Sequence, residues 1–197
     1  MLIGTTSGSE FAWGPNAQLA LDTIAMRPTR GIPTGSVNVM DIPLIEELAG
    51  RAPGDPAREP EEVYVAYKRN IGVFLLDQYI PTNALSMTRT GYDSSQQRGA
   101  TTGIERVVPD GMDYQRICGM ADRRGGPLLI WAGVSVTRAL PFGTREKVRD
   151  ELRRLVEAGP PIGLILGASI SAKLATNLQS FWTLIDGLRY YREHGCA

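Results

Sequence analysis

Three uninterrupted apolar runs stand out along the chain: VFLL, LLIW and IGLIL. Runs of this length, without alternating polar residues, are typical of strands that are buried on both faces of a parallel sheet. The shorter segment GSVNV is a fourth strand candidate. The pattern therefore predicts four strands, near residues 35–39, 72–77, 128–133 and 162–167.

Between these runs, apolar residues recur with the period of an α-helix, and capping residues stand where helices are expected to begin and end. Asp41 and Thr144 are predicted N-caps, Pro43 and Pro60 fit first helical turns, and Gly50 is a predicted stop. Six helices are expected, over 16–26, 41–50, 60–70, 112–124, 144–159 and 177–194. Strands that alternate with helices in this way predict an α/β fold with parallel crossovers.

The charge balance bears on the class of partner. The 197 residues include 21 Lys and Arg and 21 Asp and Glu, which gives a formal net charge of +0. Because no block of like charges occurs, the footprint expected of a nucleic-acid or membrane-surface binder is missing. The chain also lacks a run of about 18 apolar residues and an N-terminal targeting pattern, so a cytoplasmic location is expected.

Metal and cofactor signals are equally sparse. The two cysteines, Cys118 and Cys196, and the single histidine, His194, cannot be assembled into a local four-ligand zinc spacing. Cys118 lies in a helical pattern, where a lone cysteine most often packs as a small hydrophobe. No glycine-rich phosphate loop is present, so no nucleotide cofactor is indicated.

Three long segments of the chain share motifs with one known family: RGIPTGSVNVMDIPLIEELAG, REPEEVYVAYKRNIGVFLLDQYIPTNALSM and LLIWAGVSVTRALPFGTREKVRDELRRLVEAGPPIGLILGAS. Together with a final helix that ends in LRYYREHG, they resemble the uroporphyrinogen decarboxylase family. That family includes the decarboxylase of haem biosynthesis and related methyltransferases that act with methylated corrinoids and thiols. The motif FGT-x-x-x-V-R-x-E-L-R, followed by a glycine-rich strand, is the most specific part of the resemblance.

The resemblance implies a fold derived from the (β/α)₈ barrel, which usually takes about 250 residues. Because this chain is shorter, we expect one domain over 1–197 that forms a partial barrel of about four parallel strands, with helices outside. Its strands would follow the order 3-4-1-2, with an irregular junction at about 79–111. The outer strands, 72–77 and 128–133, would be exposed edges through which a homodimer could form.

Asp77 is the candidate catalytic residue, because it is the first charged residue after VFLL and barrel sites lie at the carboxyl ends of strands. The resemblance implies that its carboxylate stabilises the positive charge that develops on a protonated pyrrole before CO₂ is lost. A strand-end aspartate can also cap a loop, and both interpretations are open. The substrate-binding candidates are Asn38, Tyr79, Ser135, Arg138 and Ser169.

Three functions are compatible with these residues. The first is cofactor-independent decarboxylation of a porphyrinogen or a similar small carboxylated substrate. The second is a catalytically inactive half-barrel that serves in binding or assembly, because about Asn38 and Ile42 stand where the family has two arginines, the chain reads Gly167, Ala168, Ser169 where the family has a histidine between glycines, and four of the family's strands are missing. The third is a member of the methyltransferase branch that has lost its zinc site.

Overall fold

In the computed structural model, the described residues are 15–39, 41–74, 105–107, 113–123, 126, 128–168 and 177–196. This part of the chain contains eight helices: α1 (Pro15–Ile24), α2 (Ile42–Ala49), α3 (Asp55–Arg58), α4 (Pro60–Asn70), α5 (Tyr114–Arg123), α6 (Ala139–Phe142), α7 (Arg145–Glu157) and α8 (Leu178–His194). It also contains three strands: β1 (Glu105–Val107), β2 (Ile130–Val134) and β3 (Leu164–Ala168). No helix in this part of the chain is both long enough and apolar enough to cross a membrane.

The helix ends confirm the predicted capping residues. The Asp41 carboxylate accepts a hydrogen bond from the backbone N–H of Leu44 at 3.1 Å, which satisfies one of the free donors at the start of α2. Thr144 does the same for Lys147 at 3.3 Å at the start of α7. Gly50 ends α2 with φ at 65°, in the left-handed region that costs glycine little. These side chains explain why the predicted bounds of α2 and α7 lie so close to the observed ones.

The three strands are parallel and follow the order β1-β2-β3. Glu105–Val107 pairs with Ile130–Ala132, and Ile130–Val134 pairs with Leu164–Ala168. The predicted four-stranded partial barrel is therefore wrong. Strand β2 has a partner on each side, so residues 128–133 do not form the exposed edge that was expected to support a homodimer.

The strand predicted at 35–39 is also wrong, and the described part of the strand predicted at 72–77, residues 72–74, contains only an isolated bridge at Val73. Within the described residues, segment 33–39 runs beside β3 without forming a strand. Thr34 forms isolated bridges to Leu166 and to Val73, and Val39 is also an isolated bridge residue. Gly35 donates its N–H to Leu166 at 2.6 Å, and Ala168 donates to Ser36 at 3.0 Å. Pro33 has no N–H to give, which limits how far a ladder can extend here. The rest of the predicted strand at 72–77, from residue 75 onward, lies outside the described residues.

The core lies between the sheet and the helices α7 and α8. Alternate residues of β2 and β3 face this layer: Ile130, Ala132, Val134, Leu164, Leu166 and Ala168. The helices supply buried side chains at helical spacing: Val148, Leu152, Leu155, Phe181, Leu184 and Leu188. Burial of these large apolar side chains is the main favourable term in the stability of the fold. It also fixes α7 against β2, and this packing positions the candidate site.

Candidate functional site

Two of the residues predicted from the sequence lie near the carboxyl end of the sheet, in different environments. Val134 pairs with Ala168, so Ser135 begins the loop beyond this edge. Ala168 is in turn hydrogen-bonded to Ser36, so Asn38 leaves segment 33–39 at the same edge. Asp77, Tyr79 and Ser169 lie outside the described residues. Of the six candidates, the structure thus describes Asn38, Ser135 and Arg138.

Ser135 organises the loop that follows β2. Its side chain is buried, and its hydroxyl oxygen accepts the backbone N–H of Arg138 at 3.1 Å and lies 3.2 Å from the Thr137 hydroxyl. Its own backbone N–H donates to the Glu151 carboxylate at 2.9 Å. These bonds hold residues 135–138 in one conformation against α7. The immediate role of Ser135 is therefore to position the loop that carries Arg138.

Arg138 lines a cleft of about 500 Å³ between this loop and helix α7. Two more cationic side chains, Lys147 and Arg154, line the cleft from α7, together with the carboxylates of Asp150 and Glu151. Spacings of three, four and seven residues place these α7 side chains on one face of the helix. The three cations outnumber the two carboxylates by one, so the lining carries a formal charge of +1.

Both carboxylates have partners within the protein. Asp150 forms an ion pair with Arg153 at 3.2 Å, and Glu151 accepts the backbone N–H of Ser135. Lys147 and Arg154, by contrast, form no ion pair with any described residue. Both carboxylates of the cleft are therefore held by neighbouring groups of the protein.

Asn38 lies in a different environment, next to a buried lysine. The ammonium of Lys68, whose residue is 0% exposed, donates to the Asn38 side-chain oxygen and to the carbonyl of Val37, the latter at 3.2 Å. It also lies 5.2 Å from the ring centroids of both Tyr64 and Tyr67, within the range of a cation–π contact. These contacts fix the end of segment 33–39. Asn38 is consequently engaged in the interior of the protein.

Sequence reasoning missed three residues of this edge. For Lys68 the sequence contains one weak signal of a cation–π contact: Tyr64 lies four positions earlier, on the same face of the helix. Glu151 lies 16 residues from its partner Ser135, and Phe142, which also lines the cleft, lies in a four-residue helix. No local pattern reports contacts of this kind, because the packing of α7 against β2 creates them.

Metal binding finds no support in this part of the chain. The described residues contain no group of three or more His, Cys, Asp and Glu side chains that could hold a metal ion. Comparison with models of protein families, with curated proteins and with solved structures found no match to this chain.

Proposed function

We propose that this protein acts on a small carboxylated molecule as a cofactor-independent decarboxylase, as its resemblance to the uroporphyrinogen decarboxylase family implies. The observation that carries the proposal is the cleft at the carboxyl end of β2, where Arg138, Lys147 and Arg154 supply three positive charges. Barrel-derived and other parallel α/β enzymes bind ligands at this end of the sheet.

Arg138 is suited to hold a substrate carboxylate. A guanidinium presents paired donors that match the two oxygens of a carboxylate, and the backbone beneath Arg138 is fixed by the Ser135 hydroxyl. Lys147 and Arg154 add positive charge but do not fix the geometry of a bound group. Their role is therefore to attract an anionic substrate, not to orient it. Arg138 is thus the orienting group, and the two α7 cations raise the local concentration of anions.

The chemical step is assigned to Asp77 on the strength of the resemblance. A carboxylate beside the reacting ring stabilises the cation that forms when a pyrrole is protonated, before its acetate side chain loses CO₂. This proposal requires no metal and no organic cofactor. It does require Asp77 to be ionised during the reaction, so the amide of an asparagine cannot replace it.

Release of CO₂ from uroporphyrinogen by the purified full chain tests the proposal. We expect Asp77→Asn to abolish turnover and Arg138→Ala to weaken substrate binding by about tenfold or more. Arg149→Ala is the matched control, because Arg149 is an exposed arginine of α7 that does not line the cleft. Failure of the wild-type chain to release CO₂ would refute the enzymatic function.

A second candidate is a binding protein without catalysis, and one observation favours it. The polar groups of Ser135 and Asn38 are already used in internal hydrogen bonds, so these residues hold the backbone in place. On this reading the cleft would capture a carboxylated ligand and leave it unchanged. Saturable binding of the substrate to wild-type protein, lost in Arg138→Ala and not accompanied by CO₂ release, is the result that it predicts.

A further inference from the structure

Glu151 lines the cleft beside three cations, although its negative charge opposes the binding of an anion there. Its carboxylate accepts the backbone N–H of Ser135 at 2.9 Å, and the Ser135 hydroxyl oxygen accepts the backbone N–H of Arg138 at 3.1 Å. Two hydrogen bonds in series therefore connect Glu151 to the backbone that carries the Arg138 guanidinium.

Both residues that form the first of these bonds belong to rigid parts of the fold. Glu151 lies on helix α7, which is anchored in the core by the buried side chains of Val148 and Leu152. Ser135 is itself buried and directly follows β2. A group that is held by packed elements and hydrogen bonds is oriented more precisely than one on a free loop. The bond to Glu151 therefore gives the loop the order of the helix.

Asp150 provides an internal comparison, because it lines the same cleft and carries the same charge. Its carboxylate is paired with Arg153 at 3.2 Å, and among the described residues it forms no hydrogen bond to loop 135–138. One carboxylate that holds the loop and one that does not thus lie next to each other on α7.

We propose that Glu151 is a positioning residue for this cleft: it orders the loop that orients Arg138, and this effect outweighs the repulsion between its charge and a bound anion. The inference rests on the proposed function and specifies how the same site holds a carboxylate. An arginine on an ordered backbone loses less conformational freedom when it binds, so the affinity is higher. Removing the Glu151 carboxylate should therefore weaken anion binding, although the cleft becomes more positive.

Calorimetric titration of the full chain with malonate, a small dicarboxylate, at low ionic strength separates order from charge. Glu151→Ala should weaken binding about threefold or more, whereas Asp150→Ala should tighten it about twofold, because only repulsion is lost. Glu151→Gln retains an oxygen that can accept the Ser135 N–H, so it should bind malonate at least as tightly as the wild type. In an Arg138→Ala background, Glu151→Ala should no longer weaken binding.

Amide hydrogen exchange reports the order of the loop without any ligand. The Arg138 amide should exchange about tenfold faster in Glu151→Ala and at nearly the wild-type rate in Glu151→Gln. The amide of Leu166, which donates to the Pro33 carbonyl at 3.1 Å, should be unchanged and shows that the fold is intact. Ser135→Ala removes the second bond of the series, so it should weaken malonate binding as Glu151→Ala does.

Tighter malonate binding by Glu151→Ala would show that this carboxylate acts through its charge alone, and it would overturn the inference. An equal loss of affinity in the Arg138→Ala background, or no binding by the wild type, would overturn it too. Decarboxylation enters none of these measurements. The expected affinities without CO₂ release would refute the enzymatic function alone, and CO₂ release without them would refute this inference alone.

Discussion

A substitution at Gly187 tests how closely helices α7 and α8 approach each other. Gly187 lies in the interior of α8, where glycine is normally a poor choice because it costs about 1 kcal/mol relative to alanine. A Cβ built at this position would overlap Cδ1 of Leu152, a residue of α7 that is only 1% exposed. The missing side chain thus leaves room for the end of the buried Leu152 side chain between the two helices.

The magnitude of the effect of Gly187→Ala follows from two opposing terms. Higher helix propensity stabilises the variant by about 1 kcal/mol, whereas forcing a methyl group against Leu152 costs about 1–3 kcal/mol. We therefore expect a net loss of about 1 kcal/mol in the free energy of unfolding, or about 2–4 °C in Tm. In a Leu152→Ala background the clash is absent, so the same change should stabilise the protein by about 1 kcal/mol. The predicted coupling energy is about 2 kcal/mol.

Urea unfolding of the four proteins in this double-mutant cycle measures the coupling. Gly119→Ala is the matched control: Gly119 is an exposed glycine of α5, and a Cβ there would meet no heavy atom within 4 Å. It should gain the full propensity term of about 1 kcal/mol. If Gly187→Ala and Leu152→Ala proved additive, or if Gly187→Ala stabilised the wild type as much as Gly119→Ala does, the close-packing explanation would be wrong.

Three further changes test the cap of α7, the docking of α5 and the attachment of α8. Thr144→Ala should cost about 1 kcal/mol, measured by urea unfolding, because it removes the side-chain acceptor at the start of α7. Burial raises the pKa of Tyr114 above its ordinary value of 10.0, and its hydroxyl donates to the Leu155 carbonyl at 2.8 Å. Because the raised pKa belongs to the folded state, this stabilisation is complete below pH 10 and should be lost as the pH rises further. Arg192→Met should cost about 1–3 kcal/mol in the same assay, since the half-buried guanidinium donates to the Thr34 hydroxyl at 2.8 Å.

At each of these positions a second, more conservative substitution separates the effect of the interaction from the effect of side-chain volume. Thr144→Ser retains the capping oxygen and should keep most of the stability. Tyr114→Phe should have a smaller loss of stability above pH 10 than the wild type, and an identical pH dependence would show that Tyr114 does not titrate differently in the two states. Arg192→Lys keeps the charge, so a loss as large as that of Arg192→Met would assign the effect to the geometry of the guanidinium.

Local chemistry decided which elements could be predicted. The bounds of α2 and α7 follow from Asp41, Gly50 and Thr144, whose side chains or backbone act within four residues of their own positions. Strand β1 is different, because three residues inside a non-periodic segment create no pattern, and the strand exists only through its pairing with β2. Segment 35–39, by contrast, is predicted to be a strand but does not form one. Its apolar residues resemble a strand, but its pairing with β3 stays limited to isolated bridges and a few hydrogen bonds.

The same division applies to the candidate site. Ser135 and Arg138 could be predicted because an apolar run marks where β2 ends, and polar residues just beyond it lie at the carboxyl edge. The other residues of the site could not be predicted. Glu151, which bonds Ser135, and Lys147, which lines the cleft, reach it only when α7 packs against the sheet. The exposure of Phe142 is likewise a tertiary property, since nothing in the letters LPFGT distinguishes an exposed phenylalanine from a buried one.

Lys68 and Arg138, the two cationic residues near this edge, lie in different environments. Lys68 is fully buried among tyrosine rings and oxygen acceptors, so its charge fixes segment 33–39 and is not presented to solvent. Arg138 is exposed, but the loop beneath it is held by Ser135 and, through Ser135, by Glu151. Removing the Glu151 carboxylate would therefore both raise the net charge of the cleft and release the loop that aims Arg138. Under the proposed function, affinity and orientation at this site would thus be coupled through the hydrogen bond between the Ser135 backbone N–H and Glu151.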